Sequence, residues 1–246
     1  MTEQEVLEAL EKTGAVLTNS HFVYASGEHG PDYVNKDALY PHTEMASRIG
    51  LAIAERFVNQ DIDVVVGPEK GGIILSQWVA YHLSQLTERK VLSVYAEKGA
   101  EDNFVLKRGY DKLIYGKKVL VVEDVLTTGG SGRQVVAAVR ACGGKVEACH
   151  AICNRGGVKV TDIGVPVYAL VDISLDTYEE ESCPLCTKGK PLVLNIGKGL
   201  EFLNRRSDKY LLCPNPKCNG LAHYIKKDEG TYACPKCGST ELFQRV

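Results

Sequence analysis

Apolar runs alternate with helix-like patterns between about residue 60 and residue 173 of the 246-residue chain. Runs rich in Val, Ile and Leu are typical of strands buried on both faces of a parallel sheet. The pattern predicts strands over 62–67, 91–95, 118–123, 145–153 and 167–173. It predicts helices over about 3–13, 42–58, 71–87 and 132–141, with Thr43 as the N-cap of the second helix. We therefore predict an α/β fold, a parallel sheet flanked by helices.

The segment 97–117 lies between two predicted strands and is polar, charged and Gly-containing. It is longer than a simple connection between neighbouring elements. We expect a mobile loop there that acts as a lid over a binding site.

The apolar pattern weakens over 190–204 and changes after Arg205. The last segment carries four cysteines and three prolines but few aliphatic residues. We therefore predict two domains, over residues 1–204 and 208–246.

The spacing of the last four cysteines is close to that of a zinc ribbon. Four thiolates complete a closed, tetrahedral structural site, and a module this small needs such a metal for stability. The predicted zinc ligands are Cys213, Cys218, Cys234 and Cys237. Iron in the same cage and a disulfide-linked tail are the alternatives. The tail is mildly basic with interspersed aromatic residues, so it either packs on protein or, as a less favoured alternative, binds single-stranded nucleic acid.

A second cysteine pair, Cys183 and Cys186, forms a Cys-x-x-Cys motif. We interpret both as structural thiols, and a metal site is the alternative, with His150 or His223 as conceivable further ligands. A redox role is disfavoured because the thioredoxin-like context is missing. The other three cysteines lie in apolar stretches and are predicted to be buried thiols: Cys142, Cys149 and Cys153.

The bulk composition favours a cytoplasmic enzyme. The formal net charge of -2 gives no strong preference for nucleic acid or acidic lipid. The chain contains no run of about 20 apolar residues, so no membrane-spanning helix is predicted. The acidic, amphipathic N-terminus lacks the order of a signal peptide.

The stretch VLVVEDVLTTGGSG, from Val119 to Gly132, carries the strongest chemical signal. The apolar residues predict a strand that delivers Glu123 and Asp124 to the carboxyl edge of the sheet, where ligands bind in such folds. Backbone N–H groups, hydroxyls and the N-terminus of the next helix then form an anion cradle. Carboxylates repel phosphate but accept hydrogen bonds from sugar hydroxyls, so the pattern predicts a site for a ribose 5′-phosphate. A generic strand–turn–helix with a solvated acidic pair is the alternative.

This stretch resembles the binding signature of type I phosphoribosyltransferases, which use phosphoribosyl pyrophosphate (PRPP). Other segments agree in order along residues 1 to about 200. VVVGPEKGGIIL (64–75) resembles the family's pyrophosphate loop, and AEKGAEDNFVLKRGY (96–110) resembles its flexible loop. Three further segments are similar to those of orotate phosphoribosyltransferases: HFVYASGEHGPDYVNKDALYPH (21–42), the N-terminal hood; AICNRGG (151–157), a base-contacting strand end; and ESCPLCTKGKPL (181–192), a C-terminal segment.

The resemblance implies that a base nitrogen displaces pyrophosphate from PRPP with inversion, through an oxocarbenium-like transition state. Glu123 and Asp124 would hold the ribose 2′ and 3′ hydroxyls, and Lys98 would close on pyrophosphate and exclude water, these three being the catalytic residues. The remaining PRPP-binding residues implied are Thr127, Thr128, Gly129, Gly130 and Ser131 for the 5′-phosphate, and Glu69, Lys70, Gly71 and Gly72 for pyrophosphate with magnesium. The implied base-binding residues are Arg155, Tyr33 and Lys36. A solvated surface role is the alternative for Lys70, Lys98 and Arg155, and Lys107 and Arg108 are weaker candidates in the flexible loop.

The resemblance also implies small-molecule substrates, magnesium with PRPP, and a homodimer. Ala25 stands where orotate enzymes usually carry Lys or Arg, and it leaves transfer to another base, such as a purine, as an alternative. A PRPP-sensing regulator that binds nucleic acid through the ribbon is the other alternative.

Overall fold

The computed structural model describes residues 1–24, 26–99, 103–194, 196–205, 210–212 and 224–226. The chain forms two compact units. The first, here called the sheet unit, comprises Met1–Ala15 and Lys36–Ser174, and the second, here called the hairpin unit, comprises Val16–Asn35 and Leu175–Val246.

The described elements follow the predicted alternation. The helices are α1 (Glu3–Lys12), α2 (Thr43–Ala54), α3 (Gly71–Thr87), α4 (Tyr110–Ile114), α5 (Gly130–Ala141), α6 (Val160–Ile163), α7 (Pro184–Thr187) and α8 (Gly199–Arg205). The strands are β1 (Val16–Leu17), β2 (Phe22–Val23), β3 (His29–Gly30), β4 (Tyr33–Val34), β5 (Val64–Pro68), β6 (Leu92–Lys98), β7 (Phe104–Val105), β8 (Lys118–Leu126), β9 (Lys145–Asn154), β10 (Val167–Asp172), β11 (Tyr210–Leu212) and β12 (Tyr224–Lys226). Short 3₁₀ helices cover Lys36–Ala38, Glu55–Phe57 and Glu180–Ser182.

The sheet unit is built on a six-stranded sheet in the order β10-β9-β8-β5-β6-β7. All neighbours are parallel except β7, which runs antiparallel to β6. The chain builds outward from β5 and β8 in opposite directions, so the strand order reverses between these two strands. Ligands bind at the carboxyl ends of the strands beside such a reversal.

The neighbours β5 and β8 part at their carboxyl ends. Their pairing stops at Val66 and Val121, whereas β8 continues its ladder with β9 as far as Leu126 and Asn154. Beyond Val66, β5 stays paired with β6 through Pro68. A gap between β5 and β8 therefore opens where the order of the strands reverses.

Burial explains why the apolar runs form the centre of the sheet. All five residues of β5 are buried, and Val119, Leu120, Val121 and Val122 of β8 are fully enclosed. Val135, Val136 and Val139 of α5 are buried with them. Burying each such side chain contributes about 1.5–3 kcal/mol to the free energy of folding. Burial therefore strongly favours this alternation of strands and helices.

Four local predictions were wrong. The N-cap of α2 is His42, which makes no capping hydrogen bond, and Thr43 is already helical. The strand β8 extends through the acidic pair to Leu126, and α5 begins two residues earlier than predicted. The segment 97–117 is not an irregular connector throughout, since it contains the end of β6, β7 and α4.

The hairpin unit is built from two small antiparallel pairs. β1 pairs with β4, and β2 pairs with β3. One of its apolar clusters has Phe22, Tyr24 and Val193 as buried members. β11 and β12 form a further antiparallel pair, and the four predicted ribbon cysteines lie outside the described residues.

None of the described helices has the length and apolar character that crossing a membrane requires.

Candidate active site

The acidic pair is buried inside β8. Glu123 is 6% exposed and Asp124 is 1% exposed. Glu123 lies opposite Ala151 of β9, beyond the point where β5 leaves β8. Two adjacent carboxylates are therefore held out of water at the gap in the sheet, which is costly unless a partner compensates their charge.

Lys36 compensates one of the two carboxylates. Its Nζ lies 3.1 Å from Oδ1 and 3.0 Å from Oδ2 of Asp124, and the backbone N–H of Val125 donates to Oδ1 over 2.7 Å. Burial lowers the pKa of Lys36, but the charge of Asp124 and the hydrogen bond to it outweigh burial, so the pKa lies above its ordinary value. Lys36 therefore stays protonated and neutralises Asp124.

Glu123 is compensated less well. Its Oε2 is buried and has no hydrogen-bond partner among the described residues. Burial raises the pKa of Glu123 and repulsion by Asp124 raises it further, while Lys36 lowers it. The site therefore favours either a proton on Glu123 or a positively charged or hydroxyl-bearing ligand beside it.

A cavity of about 140 Å³ joins Glu123 to the predicted phosphate cradle. Its lining consists of Lys36, Glu123, Val125, Leu126, Thr127, Thr128, Gly129, Gly130, Ser131 and Gly132. The helix α5 begins at Gly130, so its first N–H groups and its positive dipole end border the cavity. This geometry is suited to an anion beside a carboxyl group.

The glycine at the start of the cradle is required by both conformation and space. Gly129 has a φ of +74°, which side-chain-bearing residues adopt only with strain. A Cβ there would also approach Val158 to 2.8 Å. Glycine lets the loop lie close to the core and turn into α5.

The predicted pyrophosphate loop follows β5 and reaches the acidic pair. A cis peptide bond joins Glu69 to Lys70. Gly71 begins α3 so close to Asp124 that a Cβ there would collide with its carboxylate, and a Cβ at Gly67 would collide with the carbonyl of Gly72. The loop and the acidic pair therefore lie on either side of the gap between β5 and β8.

Lys98 ends β6 next to the same loop. Its backbone N–H donates to Oε1 of Glu69 over 2.9 Å, and the N–H of Glu69 donates to the carbonyl of Ala96 over 2.9 Å. Two segments that the sequence separates by almost thirty residues are thus joined. Glu97 pairs with Arg108 at 2.7 Å and with Lys107 at 3.8 Å, so these weaker candidates contact a carboxylate of the same segment.

The two remaining base-binding candidates belong to different units. Arg155 follows β9, and its N–H donates to the carbonyl of Leu126 over 2.8 Å, which places its backbone beside the cradle. Tyr33 lies in β4 of the hairpin unit, with ring centroids 5.2 Å from Phe22 and 6.4 Å from Tyr24. Ala25, which bears on the choice of base, lies outside the described residues.

Tyr40 lies near the acidic pair, although the sequence pattern did not indicate it. Its hydroxyl is buried without a hydrogen-bond partner among the described residues. Burial raises the pKa of the phenol, and the charges of Asp124 and Glu123 raise it further. Tyr40 therefore stays neutral as a hydrogen-bond donor near the acidic pair. Its one sequence signal was its position at the end of the hood-like segment 21–42.

The further ligands suggested for Cys183 and Cys186 were His150 and His223. His150 lies in β9 of the sheet unit, where Arg56 Nη1 is 3.2 Å from its Nε2, and His223 lies outside the described residues. The histidines beside the two thiols are instead His21 and His29.

The sequence is similar to known proteins of one family. Residues 35–177 match the phosphoribosyl transferase domain. The chain is 40% identical over 194 residues to the orotate phosphoribosyltransferase of Caldanaerobacter subterraneus subsp. tengcongensis, covering 78% of this chain and 96% of that protein. It is 39% identical over 198 residues to the orotate phosphoribosyltransferase of Thermotoga maritima, covering 80% and 100%.

A solved structure shares the fold. The orotate phosphoribosyltransferase of Mycobacterium tuberculosis, in complex with Fe(III) dicitrate, superposes with a TM-score of 0.56 at 21% sequence identity, over 70% of this chain and 96% of that one. From the family match and the curated relatives, the chain belongs to the phosphoribosyltransferase family, as a relative of the orotate phosphoribosyltransferases.

Proposed function

We propose that this protein is an orotate phosphoribosyltransferase, which transfers ribose 5-phosphate from PRPP to orotate and yields orotidine 5′-monophosphate and pyrophosphate. The single observation that carries the proposal is the cavity in which Glu123 lies beside the Thr127–Ser131 cradle. A carboxylate next to an anion cradle fits a phosphorylated sugar. The identity to orotate enzymes over almost their whole length supports the acceptor base.

In the proposed reaction, orotate nitrogen forms a bond to C1′ of the ribose while the bond from C1′ to pyrophosphate breaks. The electron pair of the broken bond leaves with pyrophosphate, which can also take up the proton that the orotate nitrogen releases. Positive charge builds on the ribose during this exchange. The protein then acts by positioning the reactants and stabilising charge.

The buried acids would hold the sugar. Glu123 and Asp124 would accept hydrogen bonds from the 2′ and 3′ hydroxyls, and the poorly compensated charge of Glu123 would stabilise a ribose that turns positive. Thr127 to Ser131 and the N-terminus of α5 would hold the 5′-phosphate. Lys36 would release Asp124 in part when the hydroxyls arrive.

The loop Glu69–Gly72 and Lys98 would face pyrophosphate. Hydrogen bonds already join the loop to the end of β6. The oxygen donors in this region, Glu69 and Glu123, are of the kind that magnesium prefers. Magnesium bound with PRPP would offset the charge of the leaving group. Closure of the segment after Lys98 would exclude water from the reacting carbon.

Arg155, Tyr33 and Lys36 are the proposed contacts to the base. A cation at the end of β9 is suited to pair with the carboxylate of orotate. We further propose a cytoplasmic homodimer with the domain boundary at 204–208 and a structural zinc held by Cys213, Cys218, Cys234 and Cys237.

Turnover assays with a panel of bases test the proposed function. Purified protein is incubated with PRPP, magnesium and one base at a time: orotate, uracil, adenine, guanine or hypoxanthine. Orotate absorbance should fall, and pyrophosphate should appear in equal amount. Consumption of a purine in place of orotate would contradict the acceptor. PRPP binding without turnover of any base would favour a sensor. The double variant Glu123→Gln with Asp124→Asn serves as the inactive control.

A further inference from the structure

Two histidines and two cysteines gather inside the hairpin unit. They are His21, next to β2, His29 of β3, Cys183 at the N-terminus of α7, and Cys186 within α7. One candidate ligand atom from each lies within 4.8 Å of the others. Both histidines and Cys183 are 0% exposed, and Cys186 is half-buried.

We propose that these four residues bind one zinc ion in a tetrahedral Cys₂His₂ structural site, separate from the predicted C-terminal ribbon. The ligand atoms would be Nε2 of His21, Nδ1 of His29 and the two Sγ atoms. Neither cysteine is in a disulfide bond in the structure, so both sulfur atoms can act as metal ligands.

The spacing of the ligand atoms fits a zinc tetrahedron. Zn–N bonds of about 2.0–2.1 Å and Zn–S bonds of about 2.3 Å place tetrahedral ligands about 3.3 Å apart for two nitrogens and about 3.6 Å apart for nitrogen and sulfur. The two ring nitrogens here are 3.0 Å apart. The sulfur–nitrogen distances are 3.7 Å from each Sγ to His21 and 3.2 Å from Cys186 to His29.

The second ring nitrogen of His21 is oriented as in metal-bound histidines. Its Nδ1 lies 2.8 Å from the carbonyl oxygen of Lys190, and a carbonyl can only accept. Nδ1 therefore carries the proton, and Nε2 directs its lone pair at the cluster. A backbone carbonyl that fixes the tautomer in this way is a regular feature of histidine ligation.

Charge balance also favours a dication. Two thiolates and Zn²⁺ sum to zero, so the closed site can be buried without a net charge. A metal-free cluster would have to hold its histidines and thiols by a chain of weak hydrogen bonds. The other ring nitrogen of His29, Nε2, has no hydrogen-bond partner among the described residues.

The site would join two segments of the hairpin unit that are far apart in the sequence. His21 and Cys183 are 162 residues apart. A metal that closes so long a loop adds stability, because it restricts the unfolded chain. No ligand position stays open, so the role is structural.

X-ray absorption at the zinc edge tests the proposal on the unmodified full chain. If this site and the ribbon are both filled, the chain carries about two zinc ions with an average shell of about three sulfurs and one nitrogen. A filled ribbon alone gives one zinc with sulfur ligands only, and that result would overturn the proposal. A Cys183–Cys186 disulfide found by mass spectrometry of protein purified without reductant would overturn it as well.

The zinc content of variants distinguishes this site from the predicted ribbon. Replacing the four ribbon cysteines with serine in the full chain should leave one zinc per chain. Adding Cys186→Ser or His29→Ala should remove that zinc and abolish the loss of thermal stability that a chelator causes. Cys142→Ser, a thiol of the sheet unit, is the matched control and should keep the zinc. Equal zinc content in the Cys186→Ser and Cys142→Ser variants would contradict the proposal.

Discussion

At the scale of single residues, the site depends on an unequal treatment of two neighbouring carboxylates. Asp124 has an ammonium partner and a backbone donor, whereas Oε2 of Glu123 has no hydrogen-bond partner among the described residues. Burial and the neighbouring Asp124 raise the pKa of Glu123, as expected when two buried acids share one site. Glu123 is therefore the residue at which stability and function should conflict.

Glu123→Gln should raise stability and lower activity. The pKa of Glu123 is higher in the folded than in the unfolded chain, so folding takes up a proton. The free energy of unfolding of the wild type should therefore fall as pH rises above the ordinary Glu range, by at most about 1.4 kcal/mol per pH unit. The variant should lose this slope, melt higher at neutral pH, and lose about 10- to 100-fold in kcat/KM, corresponding to a charged hydrogen bond of about 1.5–3 kcal/mol.

Thermal melts across pH and steady-state rates check this prediction. Glu147→Gln, at a half-buried position of β9, is the matched control and should change neither the slope nor the rate. A wild-type stability that rises through the same pH window would contradict the assigned direction of the pKa.

Lys36→Met should destabilise the protein through Asp124. The change leaves a 1% exposed carboxylate without its ammonium. Because the lysine side chain is itself 43% exposed, solvent screens the pair, and we expect a coupling energy of about 1 kcal/mol. In the Asp124→Asn background the same substitution should cost little. A double-mutant cycle from denaturant melts measures the coupling, and additive effects would contradict it.

At the scale of elements, the start of α3 and the end of β8 fit together only because α3 begins with glycines. The carboxylate of Asp124 occupies the space in which a Cβ of residue 71 would lie. A close approach of this kind lets a loop that follows one strand reach an acid of the next.

Gly71→Ala should therefore act on both stability and PRPP affinity. The methyl group displaces Asp124 or α3, at a cost of about 1–3 kcal/mol. We expect a lower melting temperature and a Kd for PRPP, measured by calorimetry, at least about tenfold weaker, which corresponds to about 1.4 kcal/mol. Ile74→Ala removes a 40% exposed side chain from the same helix and is the control. Equal PRPP affinity in the two variants would contradict the close approach.

The elements also show which parts of the fold the sequence pattern predicted. Buried parallel strands are long apolar runs, so β5, β8, β9 and β10 were predicted within a few residues. α4 was missed because its five residues bury only Ile114, which gives no period to read.

At the site, too, the sequence pattern predicted only arrangements of residues that are close together in the chain. Glu123 and the cradle are close in the sequence, so their position at one cavity followed from the strand–turn–helix pattern. The pairing of Lys36 with Asp124 spans 88 residues, and that of His21 with Cys183 spans 162. Contacts of this kind depend on how the units fold, which a local pattern does not encode.

At the scale of the whole molecule, the transferase and the cysteine-rich tail should be separable. The Thermotoga maritima relative is matched over its entire length by 198 residues, or 80%, of this chain. A fifth of the chain therefore has no counterpart in that protein.

A chain that ends after Arg205 should keep its fold and its rate of orotate turnover within about threefold, a change of less than about 0.7 kcal/mol in the barrier. A chain that ends after Val193 should lose stability, because it lacks α8, whose Phe202 ring packs at 4.9 Å from the ring of His29. Circular dichroism melts and turnover assays compare the two truncations. Loss of activity in the longer one would assign the tail a part in catalysis.

The gap between β5 and β8 has a consequence for how the protein can evolve. The residues that border the gap pair only with the outer neighbours β6 and β9, so each side of the gap is held in the sheet by one neighbouring strand. Substitutions at this border should therefore alter the choice of acceptor without disturbing the paired valines of the sheet. Laboratory selection for a new acceptor should accordingly collect its mutations at the border and spare those valines.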